Sequence, residues 1–279
     1  MKSILIALEE SAGTDRATEL AIDLAQTHGA GLVGLGIIDV PDITAGAAMG
    51  IGAASFKHDR DQALIQDAHQ RAREFEQRFL ERCRKAPAAI TARVLEITGR
   101  PAETILAELE NHDLVMLGRD ANFRFETDAS DTRTWDVVLH KASKPVIVVP
   151  ENELPRGRGA LIAYDGSLAA TRVLKTFAAS GLAQGRGIHV VTVNDSGAAA
   201  WELATQATET LKGLGLDAEV HNVVSVLPIA DALLKVAAQI DAGLIAMGAF
   251  AHSRLRKLFR GSVTQQIVER TPIPLFLTH

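Results

Sequence analysis

The chain has 279 residues, 47% of them hydrophobic, which is enough apolar surface for one large or two ordinary domains. With 29 Lys and Arg against 34 Asp and Glu, its formal net charge is −5, which excludes a general nucleic-acid-binding protein. Its single cysteine, Cys83, excludes an intrachain disulfide framework and is typical of a reducing compartment, and no apolar run approaches the ~20 residues of a membrane span. We therefore expect a cytoplasmic protein that enters no membrane and binds no nucleic acid.

The first half of the chain alternates short apolar runs with helical patterns. Because the runs lack the alternation of half-exposed strands, they predict strands buried on both faces of a parallel sheet. The predicted strands are 3–8, 32–38, 91–96, 114–117 and 145–149. A helical pattern over 60–84 brings four apolar residues to one face, namely Ala68, Ala72, Phe75 and Phe79. Cys83 lies in the same stretch, either as a packed thiol or as a redox centre.

The second half has the same alternation. Its predicted strands are 160–164, 188–193, 218–224, 243–247 and 273–277. A helix over 263–270 is expected to follow Ser262, a good N-cap, and to end before Pro272. Alternating strands and helices predict doubly wound α/β sheets with right-handed crossovers.

The second half also repeats the first. Four landmarks recur in order: 4–11 with 160–167, Pro101 with Pro228 at the start of a helix, 114–118 with 244–248, and 145–149 with 274–278. We therefore predict two tandem domains, 1–150 and 151–279, joined by a short linker over 151–159. The first copy carries roughly 26–29 extra residues. They include the Gly/Ala-rich stretch 45–54, which is either a surface insertion or a lid or docking loop.

Positive charge favours the second half as the place for an anionic ligand. Residues 1–150 hold 17 Lys and Arg and 23 Asp and Glu, a net charge of −6, whereas the remaining 12 and 11 give +1. The stretch 248–263 contains no acid and four cations, Arg254, Arg256, Lys257 and Arg260. Gly261 and Ser262 then precede a helix whose free N–H groups and dipole suit a phosphate. His252 either contacts that phosphate or faces solvent in a turn.

A carboxylate follows the first strand of the second copy. Because ligands of doubly wound sheets bind beyond the carboxyl ends of the strands, Asp165 is placed to accept hydrogen bonds from a ribose or a base amino group. It is equally placed to cap the following helix. The residues leave both interpretations open.

These motifs resemble those of the universal stress protein family. The family's ATP-binding signature has Gly, two residues, Gly, nine residues and Gly-Ser/Thr. Here the corresponding residues are Gly248, Ala251 and Gly261-Ser262, so only the second glycine is replaced. The Asp-Gly-Ser at 165–167, the helix-opening prolines and the closing strands also match. The resemblance covers nearly the whole chain, twice, as in a tandem member of the family.

The resemblance implies a Rossmann-like, five-stranded parallel sheet of order 3-2-1-4-5 in each copy, binding ATP or another adenine nucleotide, with Mg²⁺ able to accompany the phosphates. Asp165 would meet the adenosine, the backbone near Val193 the adenine, and Gly248 the ribose. Ala251, Gly261, Ser262 and Val263 would hold the phosphates. By their place and charge in the sequence, His252 and Arg254 are further candidates near those phosphates. Family members pair through their last strands, so 145–149 and 273–277 would form an intramolecular pseudo-dimer. A homodimer and a protein partner stay open.

The first copy departs from the signature. Glu9 stands in place of the aspartate, and Asp131-Thr132 or Thr132-Arg133 in place of Gly-Ser, with further acids at Glu126 and Asp128. Acids beside a triphosphate repel it, so we predict that only the second copy binds ATP.

The expected function is that of an ATP-binding stress or regulatory protein. The alternatives are a nucleotide-free interaction scaffold and a slow ATPase on the same fold. The sequence offers no catalytic set and no strict Walker A motif, and the linear spacing of its nine histidines predicts no metal site.

Overall fold

In a computed structural model, residues 1–45, 54–123, 133–154, 157–249 and 263–278 are described. The chain divides into two compact units, Lys2–Lys141 and Ala142–His279. Among the described residues no helix combines the length and the apolar character needed to cross a membrane.

The first unit contains four strands and five helices in its described part. They are β1 (Ser3–Leu8), α1 (Ala12–His28), β2 (Gly31–Ile38), α2 (Val40–Thr44), α3 (Ala54–Arg84), β3 (Ala92–Thr98), α4 (Pro101–Leu109), β4 (Leu114–Gly118) and α5 (Thr134–Lys141). The strands are parallel in the order β3-β2-β1-β4. As the apolar runs predicted, β1 and β4 are almost completely buried.

The second unit contains six strands and four helices in its described part. They are β5 (Val146–Val149), β6 (Gly159–Ala163), α6 (Leu168–Ser180), β7 (Gly187–Asn194), α7 (Gly197–Gly213), β8 (Glu219–Val224), α8 (Ile229–Gln239), β9 (Ala242–Gly248), α9 (Val263–Arg270) and β10 (Leu275–Thr278). Five parallel strands follow the order β10-β9-β6-β7-β8, which is the expected 3-2-1-4-5 order read from its other end.

The remaining strand, β5, pairs with β10 in antiparallel fashion, with Phe276 opposite Ile147. The expected pairing of these two strands is therefore present. Both are fully buried, and Phe276 also packs edge-to-face on Phe177, with ring centroids 5.9 Å apart.

The extra segment of the first copy is more helical than the sequence predicted. α3 begins at Ala54, six residues before the expected start, and the short helix α2 was not predicted. Ile43 of α2 joins Ile38, Ala68 and Ala72 in one buried cluster, so tertiary packing stabilises α2. Most of the stretch 45–54, whose role as insertion or lid was left open, lies outside the described residues.

Cys83 is a packed thiol. It is buried on α3, and burial raises its pKa to about 11. A thiol with such a pKa stays protonated at neutral pH, so the packed interpretation is favoured over the redox one.

The end of the predicted linker is closely packed. A side chain at Gly157 would begin 2.2 Å from the carbonyl oxygen of Asp241, and one at Gly243 would begin 2.1 Å from the carbonyl oxygen of Gly157. The residues just before β6 are therefore fixed against the start of β9.

Candidate functional site

The carboxyl ends of β6 and β9 form one edge of the second unit. The strands are parallel neighbours, with Ile162 opposite Ala246. Two of the predicted ligand residues, Asp165 just after β6 and Gly248 at the end of β9, are therefore brought to the same edge. This is where ligands of doubly wound sheets bind.

The Asp165 loop is held by its own hydrogen bonds. The backbone N–H of Ser167 donates to Asp165 Oδ1 over 3.0 Å, and that of Ala170 donates to Ser167 Oγ over 3.1 Å. Ser167 is the N-cap of α6, so the interpretation of Asp165 as the helix cap is wrong. The Asp165 carboxylate instead stabilises the turn that precedes α6, and the residue is exposed at the edge.

Gly166 gives this loop its shape. Its φ of +77° lies in the left-handed region that favours glycine, and a side chain there would begin 2.6 Å from Leu203 Cδ2 of α7. The apolar side chain of Leu203 therefore lies directly over the turn that presents Asp165.

Gly248 is required by packing. A side chain on it would begin 2.9 Å from Ala169 Cβ and 3.1 Å from the backbone nitrogen of Ala170, in the first turn of α6. The next residue, Ala249, is buried, and its N–H donates to the carbonyl oxygen of Thr278 over 2.9 Å. The end of β9 is thus fixed on two sides.

The end of β7 completes this edge. Val193 is half-buried and lies opposite Val223 of β8. After it, the side chain of Asn194 accepts the N–H of Ser196 over 3.0 Å, and Ser196 caps α7. The backbone predicted to meet adenine therefore lies between a half-buried strand end and a capped helix.

At the corresponding edge of the first unit, carboxylates accept backbone N–H groups. Glu9, which corresponds to Asp165, accepts the backbone N–H groups of Asn122 and Phe123 over 2.6 and 2.8 Å. Burial raises the pKa of Glu9 from 4.5 to about 7, which the two N–H groups oppose and the nearby carboxylate of Asp120 reinforces. The Glu9 side chain therefore occupies two backbone donors at this edge.

Asp120 occupies a second set of donors. It accepts the N–H of Gly13, in the first turn of α1, over 3.1 and 3.3 Å. A side chain on Gly13 would begin 2.3 Å from Asp120 Oδ1, and one on Gly118 would begin 2.7 Å from the backbone nitrogen of Thr14. Gly118 and Gly248 thus end corresponding strands at the two edges, and within the described parts of the chain only the first edge has an acid bonded to the helix N-terminus.

The space beside Glu9 is small. Its cleft has a volume of about 10 Å³, room for about one water molecule. Side chains of α3 line it together with Glu9 and Thr14, among them Phe75, Arg78 and Phe79.

A sequence model of the universal stress protein family matches residues 1–150 and again residues 158–279.

The chain belongs to the universal stress protein family.

Three relatives of this universal stress protein have low sequence identity to it. Universal stress protein Slr1230 of Synechocystis is 27% identical over 165 residues, and the match spans 58% of the chain and 56% of that relative's length. The crystal structure of a universal stress protein from Archaeoglobus fulgidus is 20% identical and covers 99% of this chain and 95% of its own, with a TM-score of 0.70, which shows the shared fold. A universal stress protein from Archaeoglobus fulgidus in complex with dAMP is 23% identical over 43% of this chain and 95% of its own, with a TM-score of 0.36.

The predicted ligand residues of this universal stress protein divide into two groups. Asp165, Val193, Gly248 and Val263 are described, and the predicted helix over 263–270 is present as α9. Those predicted around the phosphates, Ala251, His252, Arg254, Gly261 and Ser262, lie outside the described residues.

Asp120, which accepts the Gly13 N–H at the first edge, is not among the residues that the sequence analysis of this universal stress protein identified. The sequence drew attention to Glu126, Asp128 and Asp131, which also lie outside the described residues. The sequence could have pointed to Asp120 through its position two residues after Gly118, because the second copy has Phe250 at the corresponding position.

Proposed function

We propose that this universal stress protein binds one adenine nucleotide, with ATP as the first candidate, at the carboxyl edge of its second unit. The observation that carries the proposal is the contrast between the two edges. In the first unit Glu9 and Asp120 are bonded to backbone N–H groups of that edge, over distances of 2.6 to 3.3 Å. In the second unit Asp165 is exposed and accepts the N–H of Ser167, and the sequence has Phe250 at the position of Asp120.

Charge supports the same choice of unit. The sequence between Gly248 and Val263 has four Lys or Arg residues and no acid, so it favours a phosphate group. Gly261 and Ser262 directly precede α9, whose N-terminal N–H groups and dipole suit phosphate oxygens. Mg²⁺ accompanying these phosphates is part of the proposal.

The nucleoside end is assigned to Asp165 and the β7 terminus. An exposed carboxylate can accept hydrogen bonds from ribose hydroxyls or a base amino group. The turn around Gly166, packed against Leu203, orients this carboxylate through its bond with the Ser167 N–H. Nucleotide binding would change this surface, and we assign the protein a regulatory role in the cytoplasm, where its single thiol stays reduced.

Calorimetry of the full chain with ATP and with dAMP tests the proposal. We expect one nucleotide per chain and an affinity reduced about tenfold or more in Asp165→Asn, since each lost charged hydrogen bond costs about 1.5–3 kcal/mol. The Asn side chain still accepts the Ser167 N–H, so the turn is retained. Glu9→Gln is the matched control in the first unit and leaves the affinity unchanged.

Gly261→Glu distinguishes this site from any other. A carboxylate before α9 repels the phosphates, so we expect this variant to lose ATP binding while its circular dichroism stays that of the wild type. Two nucleotides per chain, or full affinity in Gly261→Glu, contradicts the proposal. No binding by the wild-type chain favours a nucleotide-free scaffold.

A further inference from the structure

Two histidines and a glutamate meet on the last two strands of the second unit's sheet. In the parallel pairing of β7 and β8, His189 lies opposite Glu219, and His221 follows Glu219 by two residues. Because side chains two residues apart on a strand point to the same face, Glu219 and His221 lie on the face of β8 that His189 shares on β7. The strands therefore bring together residues that are 32 positions apart in sequence.

The donor atoms of the three side chains converge. His189 Nδ1 lies 3.0 Å from His221 Nε2 and 3.4 Å from Glu219 Oε2, and the last two atoms are 4.0 Å apart. In a tetrahedral zinc site with bonds of about 2.0–2.1 Å, ligand atoms are about 3.3 Å from one another. The three distances bracket that value, so small side-chain movements would place all three donors on one ion.

The burial of the cluster also suits a metal. His189 has only 14% of its side chain exposed, His221 has 30%, and Glu219 has 76%. Burial lowers the pKa of His189, which Glu219 opposes and His221 reinforces. The two ring nitrogens are 3.0 Å apart, within hydrogen-bonding distance, and a divalent ion could take the place of the hydrogen between them.

We propose that His189, Glu219 and His221 bind a divalent transition-metal ion, with Zn²⁺ as the ion to test. Two imidazoles and a carboxylate form a donor set suited to zinc, and three protein ligands leave a fourth position for water or an added ligand. The linear spacing of the histidines predicted no metal site, because these ligands come from two different strands.

This site is separate from the proposed nucleotide site. His189 and Glu219 lie near the starts of β7 and β8, whereas Asp165 and Gly248 lie at the carboxyl ends of their strands. β8 is the last strand of its sheet, so a bound ion would fasten this edge strand to β7. Either proposal can fail without the other.

Zinc binding by the full chain, freed of any affinity tag and of metal, tests the assignment. Zn²⁺ is titrated against a competing chromophoric chelator without nucleotide, and Co²⁺ absorption reports tetrahedral geometry. We expect one ion per chain and an affinity about tenfold or more weaker in His221→Gln and in Glu219→Gln. The matched control is His69→Gln, which removes a histidine paired with Glu96 alone at 3.0 Å and leaves the affinity unchanged.

The variants also test folding. His221 and Glu219 are the more exposed ligands, so both substitutions should leave the circular dichroism of the metal-free chain unchanged. A wild-type chain that binds no Zn²⁺, or zinc affinity that survives in His221→Gln and Glu219→Gln, overturns the proposal and leaves a histidine pair hydrogen-bonded beside a carboxylate.

Discussion

The carboxylate of Glu9 accepts the backbone N–H of Phe123 over 2.8 Å, across 114 positions of sequence. In the second repeat, the corresponding Asp165 accepts the N–H of Ser167, two positions away. Glu9 thus joins two loops that are distant in sequence, whereas the bond between Asp165 and Ser167 lies within one turn. This difference gives the two repeats different chemistry on a shared fold.

Glu9 should make the stability of the first unit depend on pH. Its pKa in the folded chain is about 7, above its ordinary value of 4.5. Between these values the folded state binds more protons than the unfolded state, so the free energy of unfolding falls as pH rises from 4.5 to 7 and stays low above 7. We expect Glu9→Gln to reduce this fall by about 1–3 kcal/mol, measured by urea unfolding at pH 5 and pH 8.

The control for that experiment is Glu10→Gln at the neighbouring exposed position, which keeps the wild-type pH dependence. Burial also raises the pKa of Asp23 and Glu76, but both are present in every variant, so the difference between variants isolates Glu9. Identical pH profiles for wild type and Glu9→Gln would show that ionisation of the half-buried Glu9 carboxyl does not lower the free energy of unfolding.

Gly248→Ala should destabilise the second unit. The new methyl group would begin within 2.9 to 3.1 Å of Ala169 and Ala170, whose backbone cannot move without shifting α6. We expect a loss of about 1–3 kcal/mol in the free energy of unfolding, from denaturant titration. Gly213→Ala is the matched control, since nothing lies within 4 Å of a side chain there. Equal stability of the two variants would refute the packing argument.

Gly166→Ala should add both backbone strain and a steric contact, and Gly185→Ala should add the strain alone. Gly166 and Gly185 have similar φ values of +77° and +73°, so alanine at either costs about 1 kcal/mol of backbone strain. Only at position 166 must a side chain, Leu203, also move. We therefore expect a larger drop in melting temperature for Gly166→Ala than for Gly185→Ala, and the reverse order would contradict the contact with α7.

Ala251→Gly tests the one departure from the family's glycine pattern in the second repeat. If alanine at this position costs about 1 kcal/mol of backbone strain, glycine tightens ATP binding up to about fivefold. Calorimetry with the full chain measures the change. A clear loss of affinity would contradict this interpretation of the loop.

Local patterns predicted the parts of the fold that local physics decides. Pro101 begins α4, Pro228 precedes α8, and the stretch 263–270 forms α9, because each boundary depends on residues adjacent in sequence. α2 was missed because Ile43 is stabilised by packing on Ala68 and Ala72, contacts that no short window contains.

The site chemistry was less predictable for the same reason. The sequence showed that Glu9 replaces an aspartate. The bonds of the Glu9 carboxylate to Asn122 and Phe123 could not be predicted, because they depend on the pairing of β1 with β4. The convergence of His189 on His221 likewise requires the register of β7 and β8. Residue type suggests what a side chain can bind, and the pairing of strands determines which side chains meet.

The antiparallel partner of β10 comes from before the repeat boundary. Val146–Val149 belongs to the first sequence repeat, yet its backbone pairs with Leu275–Thr278. A polypeptide that starts at residue 151 would lose this neighbour and expose the N–H and C=O groups along one side of β10. Such an open edge recruits another strand. Expressed alone, the C-terminal repeat should therefore self-associate, and the covalent fusion of two repeats provides each molecule with its own partner.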